Sequence, residues 1–350
     1  MSTKKAALVA SAALAASSLF LVAQPASGAL VTTCRGAAGA VTVPGDLVVP
    51  RNADCTLVGT TVTGNVKVDA NADLLLEGAT VGGEIYVTRN GYVEAFGGST
   101  VDGQVRGRDA FGVFVEESNI GGNVLQSSPN TTATEPFTYL FSAAVGGGLD
   151  SSAGEVIIES TEVAGAVSAR NGEYADIIDS VLGAGLTVRN NAFGAFVCES
   201  EIYGDSLFRD NKSTLQIGGS GEAGACDGAS YWGGNVTFTG NTATDTGFDI
   251  TNNIVAGNLT GSGNDPLPTG AGNRVRGDIT LEFAAADDEG ARVSLQSQSA
   301  ESVETGSEAA VVVDERVAEV TAKVESRRAS ALAGAAAVPS AQALSPAPQG

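Results

Sequence analysis

Apolar and polar positions along this 350-residue chain repeat about every 20 residues over most of its length. The repeating unit is an apolar residue, any residue, glycine, any residue and a second apolar residue. A fixed period of this length is typical of a solenoid, in which each repeat forms one coil and buries its apolar side by stacking on its neighbours. The unit occurs twelve times, centred on Gly45, Gly64, Gly83, Gly103, Gly122, Gly147, Gly165, Ala184, Gly204, Gly234, Gly257 and Gly277.

Apolar residues on either side of each central residue follow a period of two. The position two residues before the centre is apolar in all twelve repeats, and the position two residues after it is apolar in eleven, with Ser206 as the exception. Alternation of this kind is the pattern of a β-strand with one face buried. A further apolar position, seven residues before the centre in nine repeats, predicts two or three short strands in each coil. The fold class is therefore predicted to be all-β.

Two further positions of the repeat predict the turns between strands, and we call the residues that recur at each of them a column. Seven residues after the centre, Asn or Gly recurs, and because both tolerate positive φ a repeated left-handed bend is predicted there. We favour amide hydrogen bonds between the asparagines of successive coils over bonds within each turn. Small residues four positions before the centre, from Thr60 to Ser230, predict a tight bend or a stack of hydroxyls. The bend column is Asn52, Asn71, Asn90, Gly154, Gly172, Asn191, Asn211, Asn241 and Asn264.

Coils of 19–20 residues with asparagine at a sharp bend resemble the right-handed parallel β-helix, the architecture of the pectin-lyase-like proteins, over roughly residues 40–283. The resemblance implies a right-handed parallel β-helix of about 12 coils. The polygalacturonase-like enzymes of this architecture carry Asn-Thr-Asp, Asp-Asp, Gly-His-Gly and Arg-Ile-Lys segments. None of these lies within the repeats, since the only Asp-Asp is Asp287-Asp288 and the chain has no histidine. The resemblance therefore implies the architecture without the catalytic motifs.

Composition divides the chain into six segments. Lys4 and Lys5 precede an alanine-rich apolar run and the small residues Ala26-Ser27-Gly28, an arrangement typical of a cleaved secretory signal peptide. No other apolar run approaches the roughly 18 residues of a membrane span. The predicted segments are a signal peptide at 1–28, an N-terminal cap at 29–42, the parallel β-helix at 43–283, an acidic, serine-rich linker at 284–308, a helix at 309–334 and a disordered tail at 335–350.

The predicted helix at 309–334 has a stripe of valines at 313, 317, 320 and 324, with Gly334 as a stop signal. We favour a role for this stripe in capping the last coil. The alternative is self-association of 309–334 with another chain as a short coiled coil.

Four cysteines, Cys34, Cys55, Cys198 and Cys226, are expected to be oxidised in a secreted chain. Of the three pairings that four cysteines allow, proximity favours Cys34–Cys55 and Cys198–Cys226. A metal site is disfavoured because the chain has neither Cys-x-x-Cys nor histidine.

Charge narrows the range of partners. The net charge is −21, and loss of Lys4 and Lys5 with the signal peptide changes it to 17 − 40 = −23. This charge disfavours nucleic acid and anionic membranes as partners, and solubility explains it best. The alternative interpretation of the acidic charge is cation binding, with calcium as the candidate, although the chain lacks the Gly-Gly-x-Gly-x-Asp repeat of calcium-binding β-rolls. No catalytic, cofactor or metal residue is assigned.

Outward aromatic side chains are the candidates for surface contacts. Phe114, Tyr139 and Phe196 each precede an inward apolar position, so their rings would stack on sugars or on another protein, and Tyr86 and Tyr92 are further outward candidates. The alternative is that insertions or the tail cover them. Two coils are enlarged, at 127–136 and 218–230, and insertions in solenoids often carry the binding surface.

These features favour a secreted, non-catalytic structural or surface-binding β-solenoid of the bacterial cell envelope or extracellular matrix. The expected partner is a polysaccharide or a cell-surface protein. The alternative is a carbohydrate-active enzyme, a polysaccharide lyase or hydrolase, with an atypical carboxylate site. Asp176 with Asp179, or Glu116 with Glu117, would be its paired acids, although solvated strand and turn residues are the favoured interpretation of all four.

Overall fold

The strands wind into a parallel β-solenoid in which each strand pairs with the equivalent strand one coil away. This computed structural model describes residues 31–128, 136–284 and 311–347. The predicted parallel solenoid of about 12 coils is confirmed. Its right-handed winding stays a prediction, because the same strand pairings hold for either hand.

Three sheets, named A, B and C, form the wall, and each coil passes through them in the order C, A, B. Sheet C is built from two- and three-residue strands that end just before the central glycines. Its strands are Thr42–Val43, Thr61–Val62, Thr80–Val81, Thr100–Val101, Asn119–Ile120, Ala144–Val145, Glu162–Val163, Val181–Leu182, Glu201–Ile202, Ser230–Trp232, Asn253–Val255 and Arg274–Val275.

Sheet A begins directly after each central glycine, and its first strand belongs to the N-terminal segment. One further strand, from the C-terminus, pairs antiparallel at that end. Its strands are Val31–Cys34, Asp46–Val49, Val66–Val68, Ile85–Val87, Val105–Arg108, Val124–Ser127, Leu149–Ser151, Val167–Arg170, Leu186–Arg189, Ser206–Arg209, Val236–Thr239, Leu259–Ser262 and Leu344–Pro346.

Sheet B follows the corner at which left-handed residues occur, and its strands are mostly five residues long. Its strands are Gly36–Ala38, Asp54–Val58, Asp73–Glu77, Tyr92–Phe96, Gly112–Glu116, Phe137–Phe141, Glu155–Glu159, Ala175–Ile178, Ala195–Cys198, Lys212–Ile217 and Thr242–Ile250.

The apolar positions of the repeat form one core that extends along the stack. Of the twelve residues two before the centre, all are buried except Val275, which is partly buried against the same core. The central glycines allow neighbouring coils to approach closely at the corner between sheets C and A. A Cβ atom on Gly83 would lie 2.7 Å from the carbonyl oxygen of Gly64, and one on Gly103 would lie 2.6 Å from that of Gly83.

The predicted hydroxyl stack is present inside this wall. Backbone N–H groups of one coil donate to hydroxyls of the next, as in Ser99 to Ser118 Oγ at 3.1 Å and Thr161 to Ser180 Oγ at 3.1 Å. The column therefore satisfies buried backbone groups at the corner between sheets B and C.

The predicted asparagine column divides into two ladders. Asn52, Asn71 and Asn90 have φ of 56°, 56° and 53°, as predicted, and their amides hydrogen-bond along the exposed surface. In later coils the left-handed residue is one position earlier, as at Asn190 with φ 57°. The left-handed bend predicted for the later asparagines is therefore wrong by one residue, because the corner turns their side chains inward. The inward ladder is Asn191, Asn211, Asn241 and Asn264.

Helix α1, Val311–Ala336, lies along the outer face of sheet B. Val313 donates its N–H to the carbonyl oxygen of Ala223 at 3.0 Å, and the other end of α1 packs on the first coils. Val313, Val320 and Val324 of the valine stripe are buried and Val317 is partly buried, with Val320 and Val324 against the sheet. The predicted capping of the last coil is therefore wrong, because the stripe packs on the side of the solenoid.

The residues that follow α1 also form regular structure. A 3-10 turn at Ser340–Gln342 leads to strand Leu344–Pro346, which pairs antiparallel with Val31–Cys34. Residues 335–347 are thus ordered where a disordered tail was predicted. Gly334 lies within α1, so its prediction as a stop signal is wrong. A glycine is needed here because α1 passes so close to Asp54 that a Cβ at this position would overlap its carboxylate.

Several predicted features lie outside the described residues: the signal peptide at 1–28, the linker from 285 to 308 with Asp287-Asp288, most of the first insertion, and residues 348–350. Within the described part of the chain, no helix combines the length and the apolar character needed to cross a membrane.

Candidate functional site

The outer face of sheet B carries a row of outward side chains, one per coil, of which six are aromatic or acidic. Because side chains alternate along a strand, the central outward residue of each strand stacks on its counterparts in adjacent coils. This row is Thr56, Leu75, Glu94, Phe114, Tyr139, Ile157, Asp176, Phe196, Gln216 and Asp249.

The three candidate aromatics lie in this row beneath α1. Phe114, Tyr139 and Phe196 expose only 6%, 0% and 2% of their surface. They point outward from the coil, as predicted, but α1 covers them. Their predicted role as surface-binding rings is therefore wrong. The alternative, that a segment beyond the repeats covers them, agrees with the structure, in which α1 is that segment.

Four acids on the same face pair with four cations of α1. Asp176 binds Arg316 at 2.9 Å, Glu155 binds Lys323 at 2.8 Å, Asp73 binds Arg327 at 2.7 Å, and Glu94 binds Arg328. All four carboxylates are nearly or fully buried, whereas the cations keep part of their side chains exposed. Charges taken out of water need such partners, so α1 and this face depend on each other.

Burial and the α1 cations act on these acids in opposite directions. Burial raises the pKa of Asp73, Glu94 and Asp176 above their usual values, and the facing arginines lower it. The guanidinium groups also lie over aromatic rings, with Arg316 4.2 Å from the ring centre of Tyr174 and Arg327 4.7 Å from that of Phe111.

Tyrosines complete the hydrogen bonding of the buried acids. The Tyr92 hydroxyl donates to Glu94 at 2.8 Å, and the Tyr139 hydroxyl donates to Glu155. Burial and the neighbouring glutamate raise the pKa of both phenols, so both remain protonated donors. This face therefore brings carboxylates and phenols into hydrogen-bonded pairs, and α1 covers them.

The predicted acid pairs do not converge. Asp176 is buried and bound to Arg316, so its interpretation as a solvated residue is wrong. Asp179 is an exposed left-handed bend residue with φ 46°, as is Glu117. Glu116 lies 3.4 Å from Arg328 of α1.

Both predicted disulfides are present. Cys34–Cys55 joins the N-terminal segment to the next coil of the stack. Cys198–Cys226 fixes the second insertion beside sheet B, where Gln216 also accepts the N–H of Ala223 at 2.7 Å. Cys198, Glu199 and Cys226 lie together as potential metal ligands, but the two sulfurs are bonded to each other and are not thiolates.

Sheet A presents a different outer face, which α1 does not cover. A groove of about 600 Å³ crosses it beside the first insertion. No carboxylate belongs to its described lining, which consists of Tyr86, Arg106, Arg108, Ser127, Ser128, Ser152, Ala153 and Asn171. This is the basic groove.

Two exposed arginines dominate the basic groove. Arg106 and Arg108 lie on one strand, and neither forms an ion pair with a residue in the described part of the chain. Among the other cations on this face, Arg170 pairs with Asp150 and Arg209 with Asp210, whereas Arg189 has no ion pair with a described residue.

Sequence reasoning placed Tyr86 among the outward aromatics but missed the two arginines. Their signal was the period-two Arg-Gly-Arg at 106–108, immediately before the enlarged coil.

Comparisons of the chain with models of protein families, with curated proteins and with solved structures find no match.

Proposed function

We propose that the chain is a secreted, non-catalytic, surface-binding β-solenoid of the cell envelope or extracellular matrix. The observation that supports binding is the basic groove, which is open to solvent and has no carboxylate in its described lining. Such a groove offers hydrogen bonds and charge, but its described lining does not contain the pair of acids that glycoside hydrolysis requires. Two disulfides and the signal-peptide features at 1–28 support an extracellular location.

The test is to offer the chain without residues 1–28 a panel of neutral and anionic polysaccharides. We expect retention in affinity electrophoresis without release of reducing ends or of unsaturated sugars. Release of either product by the native chain would overturn the proposal in favour of a hydrolase or a lyase.

A carbohydrate-active enzyme is the second candidate, and one observation favours it. Glu155, Asp176, Tyr139 and Tyr174 form a single cluster of acids and phenols on sheet B. This cluster lies beneath α1, so catalysis there requires α1 to leave.

A cleavage site for a specific protease inserted between residues 285 and 310 allows α1 to be cut from the solenoid and separated. Activity that appears on cleavage and is lost in Glu155→Gln would favour the enzyme. A cut, folded and inactive protein would count against it.

A further inference from the structure

We infer that the basic groove binds an anionic glycan, a sugar chain that bears oxyanion groups, with Arg106 and Arg108 as its anion contacts. The inference rests on the proposed binding function and adds the site and the chemical class of the ligand.

The two arginines are placed to act together. In strand Val105–Arg108 the inward Val105 and Gly107 alternate with Arg106 and Arg108, so both guanidinium groups leave the same face. Their Cα atoms are about 6.6 Å apart along the strand. Arg106 is in register with Tyr86 of the preceding coil, and Arg108 is in register with Ser127 of the following one. The ring, the two cations and a hydroxyl are thus neighbours.

The charge of these arginines is not used within the described fold. Three other cations of this face each bind an aspartate: Lys67 at 2.7 Å, Arg170 at 2.5 Å and Arg209 at 3.1 Å. The chain has a net charge of −21, so two adjacent arginines without such partners in the described residues form a local patch of positive charge on an acidic molecule. A planar guanidinium binds an oxyanion through two parallel hydrogen bonds.

The remaining lining selects a glycan among anionic ligands. Tyr86 is half-buried, and its ring offers an apolar face to a sugar ring. Ser127, Ser152 and Asn171 offer hydroxyl and amide groups to a ligand rich in hydroxyls.

The groove is also elongated. It extends from the coil of Tyr86 to that of Asn171, which is four coil steps or about 19 Å. This length fits a chain of sugars better than a single ion. Duplex nucleic acid is disfavoured, since its binding depends on many phosphate contacts and the molecule as a whole is anionic.

The test measures affinity by isothermal titration calorimetry at fixed ionic strength, with the chain lacking residues 1–28. The probes are alginate oligosaccharides for carboxylate, dextran sulfate for sulfate, a poly(glycerol phosphate) chain for phosphodiester, and neutral dextran. Comparison among the three anionic probes identifies the oxyanion. We expect binding to at least one of them and none to dextran.

Arg106→Gln with Arg108→Gln should weaken binding by about tenfold or more, because two charge-assisted contacts are lost. Tyr86→Ala should weaken it by about threefold or more. The matched control is Arg189→Gln with Arg209→Gln, which removes the same charge from the same sheet and should change affinity less than about twofold. All of these side chains lie on the surface, so unchanged circular dichroism confirms that the variants fold.

Equal losses in the two double variants would overturn the inference, since net charge alone would then explain binding. Binding of the native chain to dextran, but to none of the anionic probes, would also overturn it and would leave the proposed binding function standing. Release of reducing ends would instead overturn the proposed function.

Discussion

At the scale of single residues, asparagines at the same position of the repeat have different roles. Asn71 is exposed, has a positive φ and hydrogen-bonds to Asn52 on the surface. Asn211 is fully buried and serves three groups: it accepts from the Asn191 N–H at 3.1 Å and donates to Val188 at 2.9 Å and to Asn241 at 3.1 Å. Sequence reasoning could predict the column but not its division, because the spacing is the same for both.

Asn211→Ala should lower the free energy of unfolding by about 3 kcal/mol, since buried backbone groups lose their partners. Asn71→Gly is the control. It keeps a residue suited to positive φ and removes only an exposed amide, so it should cost less than about 1 kcal/mol. Urea unfolding measures both, and equal losses would contradict the internal role of Asn211.

The carboxylate of Asp54 gives the contact with α1 a dependence on pH. Burial and the neighbouring Asp73 raise the pKa of Asp54 to about 6, from a usual value of 3.8. A raised pKa means that the folded state prefers the neutral acid. This stabilisation is fully present below the unfolded pKa and is lost as pH rises through about 6.

Asp54→Asn should therefore raise Tm relative to the native chain near pH 8, and the difference should disappear near about pH 4. Thermal unfolding across this range measures it, with Asp102→Asn, at an exposed site, as the control for loss of one negative charge. A difference in Tm that is constant with pH would contradict this account.

At the scale of elements, α1 and sheet B are matched by charge as well as by shape. Glu94 is fully buried and depends on Arg328 and Tyr92. Arg328→Leu leaves this carboxylate without its cation, which should destabilise the docking of α1 by about 3 kcal/mol. Hydrogen exchange of the α1 amides should then be about a hundredfold faster.

The double variant Glu94→Gln with Arg328→Leu should recover most of this loss, because the buried charge is then gone. Glu319→Gln is the control, since Glu319 pairs with Lys323 at an exposed site and should change docking by less than about 1 kcal/mol. If Arg328→Leu and Glu319→Gln accelerate exchange equally, the buried pair is not what holds α1.

The valine stripe predicted a helix with one buried side, and α1 does bury the side that carries these valines. Its location could not be predicted, because the same stripe fits the end of the stack, its side or a second chain. The match between the cations of α1 and the acids of sheet B spans 140–254 residues of sequence, so no local pattern reveals it. The aromatics were correctly placed outward, whereas their burial followed from this distant segment.

At the scale of the whole molecule, the C-terminal segment covers an apolar face and a strand edge of the solenoid, so we expect it to oppose association with other copies. Removal of residues 311–350 should expose the apolar and aromatic side chains on the outer face of sheet B, such as Phe114 and Tyr139, and the edge of strand Val31–Cys34. Exposed apolar surface and open strand edges promote association. Light scattering should therefore show larger species for the truncated chain than for the full one.

Removal of residues 337–350 alone is the control. It opens the edge of strand Val31–Cys34 but leaves α1 on sheet B, so it separates the effect of the open edge from that of the exposed apolar surface. The coiled-coil alternative makes the opposite prediction: an assembled full chain that dissociates when 311–350 is removed. If the full and the truncated chains are both monomeric and have the same Tm, both accounts are contradicted.

The pairing of Leu344–Pro346 with Val31–Cys34 also sets an order of events in the making of the protein. Translation proceeds from the N-terminus, so Val31–Cys34 is made before the coils of the solenoid, while Leu344–Pro346, which covers its edge, is made after them. A nascent chain that has not reached residue 344 therefore has an uncovered edge at its first strand. This edge is protected only after the whole solenoid has been synthesised.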